Sequence, residues 1–510
     1  MSTLLGLDIG TTTIKALLYD PDAGHLLSLA SRPTPVEHPA PTWSQHDPEA
    51  LWQTVVDCLR EATNAQPPVN GLAVTGFAEA GLPLDKAGQP LYPIITWYDR
   101  RTEAQAAWWE EKIPVVQLHS ITGQRVSPSF GVNKWMWIRD NQPGIENQLD
   151  CWLSVEDYIL YKLTGEKATD YTLASRTLLF DQRALDWSSR MLELARLDKS
   201  QMPRLQPSGD MIGRVTAEAA IETGLPAGMP CMLGGHDHLV AALAAGAYHP
   251  GVIIDSSGTA EAVLMVLDTF HTGIRISKRG FAAYAHVVKN QYVLKAGLKA
   301  AGGGIEWLAR QLAGPGADPS DLPYDLLALE AQRGVGRRAG PVWLPHLNGS
   351  GTPESDRNSR AALVGVQVEH ERGDLFRAFL ESLACWLRHN VEEMETLTGQ
   401  KVEQVIHLGG TSRIRLLVKL KADLLKMPIS VPTVPEASAT GAALLAGLGL
   451  GVFSTQAEAV ASLRYENILV EPDASLAGWY DRIYKQLYLP LYPALNDLNM
   501  VMTELAADIK

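Results

Sequence analysis

Two short stretches carry residue types suited to holding a phosphate chain and accepting a proton. In 5–15 (LGLDIGTTTIK) an apolar run ends at Asp8, and Gly10 is followed by Thr11, Thr12 and Thr13. Glycine lets the backbone turn tightly and approach a ligand, while threonine hydroxyls and successive N–H groups in such a turn can face phosphate oxygens. The carboxylate of Asp8 suits a hydrated divalent cation bridging those oxygens. An ordinary polar hairpin has the same pattern, so this segment alone decides nothing. In 234–238 (GGHDH) Asp237 stands where a buried strand meets a helix-forming run at 239–247. A carboxylate there is either a helix cap or a general base for an attacking hydroxyl. His236 and His238 flank it as a metal pair, but no further ligand is near in sequence, and a metal reading is set aside.

A third stretch repeats the first. Residues 251–266 (GVIIDSSGTAEAVLMV) run apolar, reach Asp255, turn through Gly258 and Thr259, and run apolar again. Two copies of one cradling hairpin imply two related domains. Single-site nucleotide motifs are missing: the sequence has no G-x-x-x-x-G-K-[ST], and the glycines at 447, 449 and 451 follow a helical pattern instead of a strand.

The elements that must position these residues are readable from periodicity. Runs at 4–9 and 14–19 predict a hairpin closed by turn residues 20–24, and Asp47-Pro48 starts a helix through about Asn64 with Leu51, Val55, Cys58 and Leu59 on one face. Strands are expected at 69–77, 229–235 and 403–408, the last entering Gly409-Gly410, and helices at 304–313, 374–397 and 412–426. A chain of 510 residues exceeds what one core supports. The pattern breaks at Tyr248-His249-Pro250-Gly251, so the expected domains are 1–247 and 248–510, two α/β units hinged over a cleft.

Composition narrows the class. With 46% hydrophobic and 20% charged residues the chain is an ordinary globular protein, and its net charge of −13 argues against nucleic acid or an acidic membrane as partner. Cys58, Cys151, Cys231 and Cys385 form no C-x-x-C pair, which fits a reducing cytoplasm. No stretch reads as a signal peptide or a membrane span. The assembly reading allows a homodimer.

Taken together, these stretches resemble the FGGY carbohydrate kinases. LGLDIGTTTIK is similar to their first phosphate motif, SSGTAE (256–261) to the second, and GGHDH to the segment with the catalytic aspartate. FGVNKWMWIRDN (130–141) and ALVGVQVEHERGDLFRAFLE (362–381) are similar to two family signatures, with Gly131 and Phe379 as departures. The resemblance implies two actin-like, ribonuclease H-like ATPase domains flanking a central cleft, with ATP and Mg²⁺ as cofactors and a small sugar as substrate. It implies Asp237 as base and Asp8 toward Mg²⁺. It places Gly10, Thr11, Thr12, Thr13, Gly258, Thr259, Gly302, Gly410 and Thr411 near the nucleotide, and Ala78, Glu79, Trp97, Asp99 and Asp237 near the sugar. Ala78-Glu79 stands where xylulokinases show Met-His, and the arginine that flanks this glutamate in glycerol kinases is missing. Residues 77–97 look like L-fuculokinases and 43–52 like xylulokinases. The substrate expectation is a ketose led by D-xylulose, with L-fuculose, glycerol, a tetritol and gluconate as alternatives. Rival classes are an actin-like or heat-shock-type ATPase and a sugar-sensing regulator.

Overall fold

The opening hairpin forms because two apolar runs flank a Gly/Thr turn. In the computed structural model, which describes residues 3–314, 322–336 and 340–507, β1 (Leu4–Ile9) and β2 (Thr13–Asp20) pair antiparallel with Asp8 opposite Lys15. β3 (His25–Pro33) continues the meander. Helix α1 (Pro48–Thr63) starts where expected: the Asp47 carboxylate accepts the Ala50 N–H, and Leu51, Val55, Cys58 and Leu59 are buried. β4 (Gly71–Gly76) lies parallel to β1. Helix α2 (Val155–Thr164), β5 (Met211–Arg214) and β6 (Pro230–His236) follow, then α3 (Asp237–Ala244). The first sheet is ordered β5-β6-β4-β1-β2-β3.

The second sheet repeats that plan. It contains β7 (Val252–Ser257), β8 (Glu261–Leu267), β9 (Ala282–Ala285) and β10 (Tyr292–Leu298), followed by α4 (Gly302–Ala313), α5 (Arg372–Thr398) and β11 (Gln404–Leu408). Then come α6 (Arg415–Leu425), β12 (Ile429–Pro432), α7 (Ala437–Gly449) and β13 (Asn467–Val470). Its order is β9-β10-β8-β7-β11-β12-β13. In each sheet a three-stranded antiparallel meander is extended by two parallel strands, β3-β2-β1-β4-β6 in one and β10-β8-β7-β11-β12 in the other.

Between the sheets lie α3 and α7. Leu4, Leu17, Ala73 and Met232 of the first sheet share a buried cluster with Ile254, Leu264, Val293 and Ile406 of the second, filled by Leu239, Val240, Leu243, Ala439 and Ala443. Glycines permit the approach: a Cβ on Gly6 would lie 1.8 Å from the Ala439 carbonyl oxygen, and one on Gly441 2.1 Å from that of Val240. Helix α7 therefore follows β7 to β12 of the second sheet in sequence yet packs on β1. The edge strand β9 is also tied across, since Ala283 N–H donates to Gly123 O at 2.8 Å and Ala285 N–H to Gln182 Oε1 at 3.0 Å.

Two expected helices shift most, by up to three residues. The helix expected at 239–247 begins at Asp237 and ends at Ala244. The one expected at 412–426 begins at Arg415, because Gly409 (φ 95°) leads into a tight turn over Gly410–Arg413 first.

Candidate active site

Register gathers the acidic residues of the first sheet. Asp8 on β1 lies beside Thr75 on β4, and Thr75 beside Gly235 on β6, so the chain leaves all three parallel strands at one edge. Asp8, the loop carrying Glu79, and Asp237 emerge together there, at the carboxyl ends of parallel strands, where open sheets form crevices. Asp8 is buried and its Oδ1 has no hydrogen-bond partner among the described residues. Burial, with Asp237 and Glu436 nearby, pushes its carboxyl up to about 8, against the pull of Lys15. Lys15 itself is ion-paired to Glu436, which opens α7 with φ 43°. An orphaned, destabilised carboxylate oxygen is donor chemistry that a hard cation takes, so the residue fits a bound Mg²⁺.

Asp237 is the first residue of α3 and His236 its cap, so Asp237 does not act as the N-cap itself. Its Oδ1 accepts the His238 N–H at 2.6 Å, and its Oδ2 has no hydrogen bond among the described residues. Burial and the negative charge of Glu79 push its carboxyl up to about 7, while the His238 hydrogen bond and Lys295 restrain the rise. Burial holds His236 well below its usual range, so its imidazole is neutral at neutral pH.

Glu79 adopts φ 70°, the left-handed region that non-glycine residues avoid. Its Oε1 receives both Nε (2.8 Å) and Nη2 of Arg176, which leaves Oε2 free of that pair. Arg176 Nη1 donates to Gln124 Oε1 at 2.9 Å, and its guanidinium lies 4.9 Å from the Phe130 ring centre and 5.5 Å from that of Tyr284. Burial alone would raise the Glu79 carboxyl, but Arg176 brings it below the usual range. Tyr284 and Lys295 reach the site from β9 and β10, and burial next to Arg176 pulls the Lys295 ammonium down to about 8. The Tyr284 hydroxyl and Gln124 Nε2 are buried without hydrogen-bond partners among the described residues, which suits a polyhydroxy ligand.

Sequence-expected neighbours divide into two groups. Trp97 Nε1 donates to Thr11 Oγ1 at 3.1 Å, tying the aromatic segment to the first Gly/Thr turn. Thr12 and Thr13 continue that turn, and Gly10 has no room for a side chain, since a Cβ would lie 2.5 Å from Thr13 O. Ala78 is buried and offers no polar group. Asp99, expected to face a ligand, instead has its acceptors occupied: it is fully buried, pairs with Arg101 at 2.7 Å and accepts the Ser44 N–H at 2.6 Å. An arginine two residues along the same chain holds the carboxylate.

The second Gly/Thr turn backs onto α4. Gly258 O accepts the Gly302 N–H at 3.0 Å, Thr259 O accepts from Ala301 and Gly303, and a Cβ on Gly302 would lie 2.2 Å from Gly258 O. Thr411 is buried with its hydroxyl on Ser257 O at 3.2 Å, while Gly410 faces open space. Beneath the turn, Lys421 Nζ bridges Asp255 (2.7 Å) and Glu261 (3.0 Å), and His407 Nδ1 lies 2.7 Å from Asp255. Sequence reasoning missed Arg176, Gln124, Tyr284, Lys295 and Glu436. Lys295 had a signal, a lone lysine in the apolar strand YVLKAGL.

Duplicated sheets of this strand order with acidic groups at their crevice define a two-domain actin-like, ribonuclease H-like fold. The chain belongs to the FGGY family of carbohydrate kinases, whose N-terminal domain matches residues 3–244 and whose C-terminal domain matches 255–450. It is 30% identical to a glycerol kinase of Citrifermentans bemidjiense over 473 residues, 90% of this chain and 92% of that one. It is 28% identical to an L-fuculokinase of Escherichia coli, over 91% of this chain and 96% of that one. The crystal structure of a xylulose kinase from Rhodospirillum rubrum superposes with a TM-score of 0.89 at 28% identity, covering 98% of this chain and 100% of that one. The protein is a carbohydrate kinase, and a small-molecule sugar is its class of substrate. Among the described residues no helix is long and apolar enough to cross a membrane.

Proposed function

We propose that this kinase transfers the γ-phosphoryl group of ATP to a hydroxyl of a ketose, with D-xylulose the first substrate to test. The observation that carries the reading is Asp237: its Oδ2 is free, and its carboxyl is raised to about 7, near the optimum for a general base working at neutral pH. In this reading Asp237 accepts the proton of the attacking hydroxyl. Glu79 Oε2, the Tyr284 hydroxyl and Gln124 Nε2 orient the sugar. Asp8 holds Mg²⁺, which neutralises charge on the phosphates when bound. The turns at Gly10–Thr13 and Gly258–Thr259, with Gly302, Gly410 and Thr411, cradle the nucleotide. The lobes divide near 247–250 and close about that hinge, excluding water so that the sugar hydroxyl meets the phosphorus.

The names of the relatives support the substrate class and divide on the sugar. The 28%-identical xylulose kinase structure favours a ketose, and Glu79 favours a glycerol-like polyol. Lys295, which has no ion-pair partner among the described residues, favours a second reading in which the substrate is a sugar acid such as gluconate. The deciding experiment is an ATP-consumption screen over ketoses, L-fuculose, glycerol, tetritols and aldonates. One sugar raising turnover far above the basal ATPase rate supports the kinase reading. A uniform basal rate with every candidate would favour an ATPase or sensor.

A further inference from the structure

The strand-to-helix bend that presents Asp237 presents two imidazoles with it, on either side of the carboxylate. Asp237 Oδ1 lies 3.3 Å from His236 Nε2 and 3.9 Å from His238 Nε2. One ligand atom from each of the three residues falls within 4.8 Å of the other two. In a tetrahedral site with metal–ligand bonds of about 2.0–2.1 Å the ligand atoms stand roughly 3.4 Å apart. The His236–Asp237 contact already meets that spacing, the Asp237–His238 contact needs a shift of about half an ångström, and the two imidazole nitrogens, within 4.8 Å of each other, must also close up. The His238 side chain, 48% exposed, is the one with room to move.

We propose that His236, Asp237 and His238 form a site for a borderline dication of the Zn²⁺ or Co²⁺ type, separate from the Mg²⁺ expected at Asp8, whose occupation removes Asp237 from catalysis. Two imidazoles and one carboxylate suit such ions and not Mg²⁺, which prefers an all-oxygen shell. Three protein ligands leave a fourth position for water. Consecutive ligands at 236, 237 and 238 made the pair look short of partners in sequence, but the carboxylate between them is the third ligand. Arg176, Lys295 and the N-terminus of α3 oppose a dication here, while Glu79 favours one.

Sugar and metal would compete, since both need the carboxylate of Asp237. The inhibition rests on the reading of Asp237 as base, whereas binding does not, so the two are tested separately. The metal-stripped, untagged full-length chain is titrated with Co²⁺ alone and followed by its visible d–d absorption, which reports low-coordinate nitrogen ligation. A saturable band at one equivalent, reversed by Zn²⁺ and weakened at least about tenfold in His236→Gln and in His238→Gln, is expected. Thermal melting confirms that each variant is folded, and His238→Gln, at an exposed ring, keeps the test open if His236→Gln does not fold. No band, or equal affinity in folded variants, overturns the site. A band lost only in Asp8→Asn overturns it as well, by placing the ion at Asp8. With Mg²⁺-ATP and sugar present, Zn²⁺ inhibition competitive with sugar and relieved by a chelator supports the block. Co²⁺ binding without inhibition keeps the site and overturns the role of Asp237 as base.

Discussion

The two Gly/Thr hairpins share a backbone plan and treat their aspartates in opposite ways. Asp8 in the first is buried with an orphaned oxygen and a carboxyl raised to about 8. Asp255 in the second is equally buried, but despite that burial Lys421 and His407 hold its carboxyl well below the usual range. The first hairpin keeps a buried carboxyl oxygen with no hydrogen-bond partner among the described residues, which in the proposed reading a cation brought with the ligand would take. The second has an internal cation, and its aspartate has become a strut under the Gly258–Thr259 turn. In the second hairpin Lys421 and His407 together give the buried aspartate the internal partners that Asp8 lacks.

The strongest way to sharpen that contrast is at the free carboxylates. Asp237→Asn is expected to lower kcat by about 10²–10⁴ while ATP affinity, measured by calorimetry, stays within a few-fold. Lys421→Met is expected to break the contrast from the other side. It strands Asp255 and Glu261 without their cation and costs about 3–5 kcal/mol in urea unfolding, because a buried pair has lost one partner. Stability left unchanged would mean that the strut carries no weight.

Asp8→Asn should do the reverse. Removing a desolvated carboxylate leaves the fold as stable or more stable, while the Mg²⁺ concentration for half-maximal activity rises by about tenfold or more. Unchanged Mg²⁺ dependence with a lowered melting temperature would assign Asp8 to the strut class after all. The pH dependence follows from the raised values. A carboxyl raised in the folded state stabilises the fold below its unfolded value and loses that contribution as pH rises through the folded one. For Asp8 the window runs from 3.8 to about 8, so stability of the ligand-free chain falls across it, and Asp8→Asn flattens the fall. kcat/KM moves the other way, rising through about pH 7 as Asp237 ionises. The smallest effect is at Trp97→Phe, which removes one hydrogen bond to Thr11, worth about 0.5–1.5 kcal/mol, and should appear in KM.

What the sequence made legible was local. Apolar runs around Gly10 and Gly258 specify both hairpins without help from distant residues, and Asp237 could be placed at a strand-to-helix bend because the bend is built from neighbours. The W-x-D-x-R spacing did not show that the Asp99 carboxylate is held by Arg101 and Ser44. Partners far apart in the chain stayed hidden: Arg176 reaches Glu79 across 97 residues, and Lys421 reaches Asp255 across 166. Nothing periodic in a sequence reports which buried lysine meets which buried acid.

Helix α7 has a consequence for how the molecule is made. Its Ala439 and Ala443 fill the face of β1 at Gly6, yet they leave the ribosome about 200 residues after the last strand of the first sheet. At 5–20 residues per second that is a wait of roughly 10–40 s. Through that interval the apolar face of β1 that α7 covers in the folded chain lacks that cover. Splitting the gene at 247 should therefore yield an N-terminal fragment that holdase chaperones retain, and that becomes soluble when the C-terminal fragment is made in the same cell.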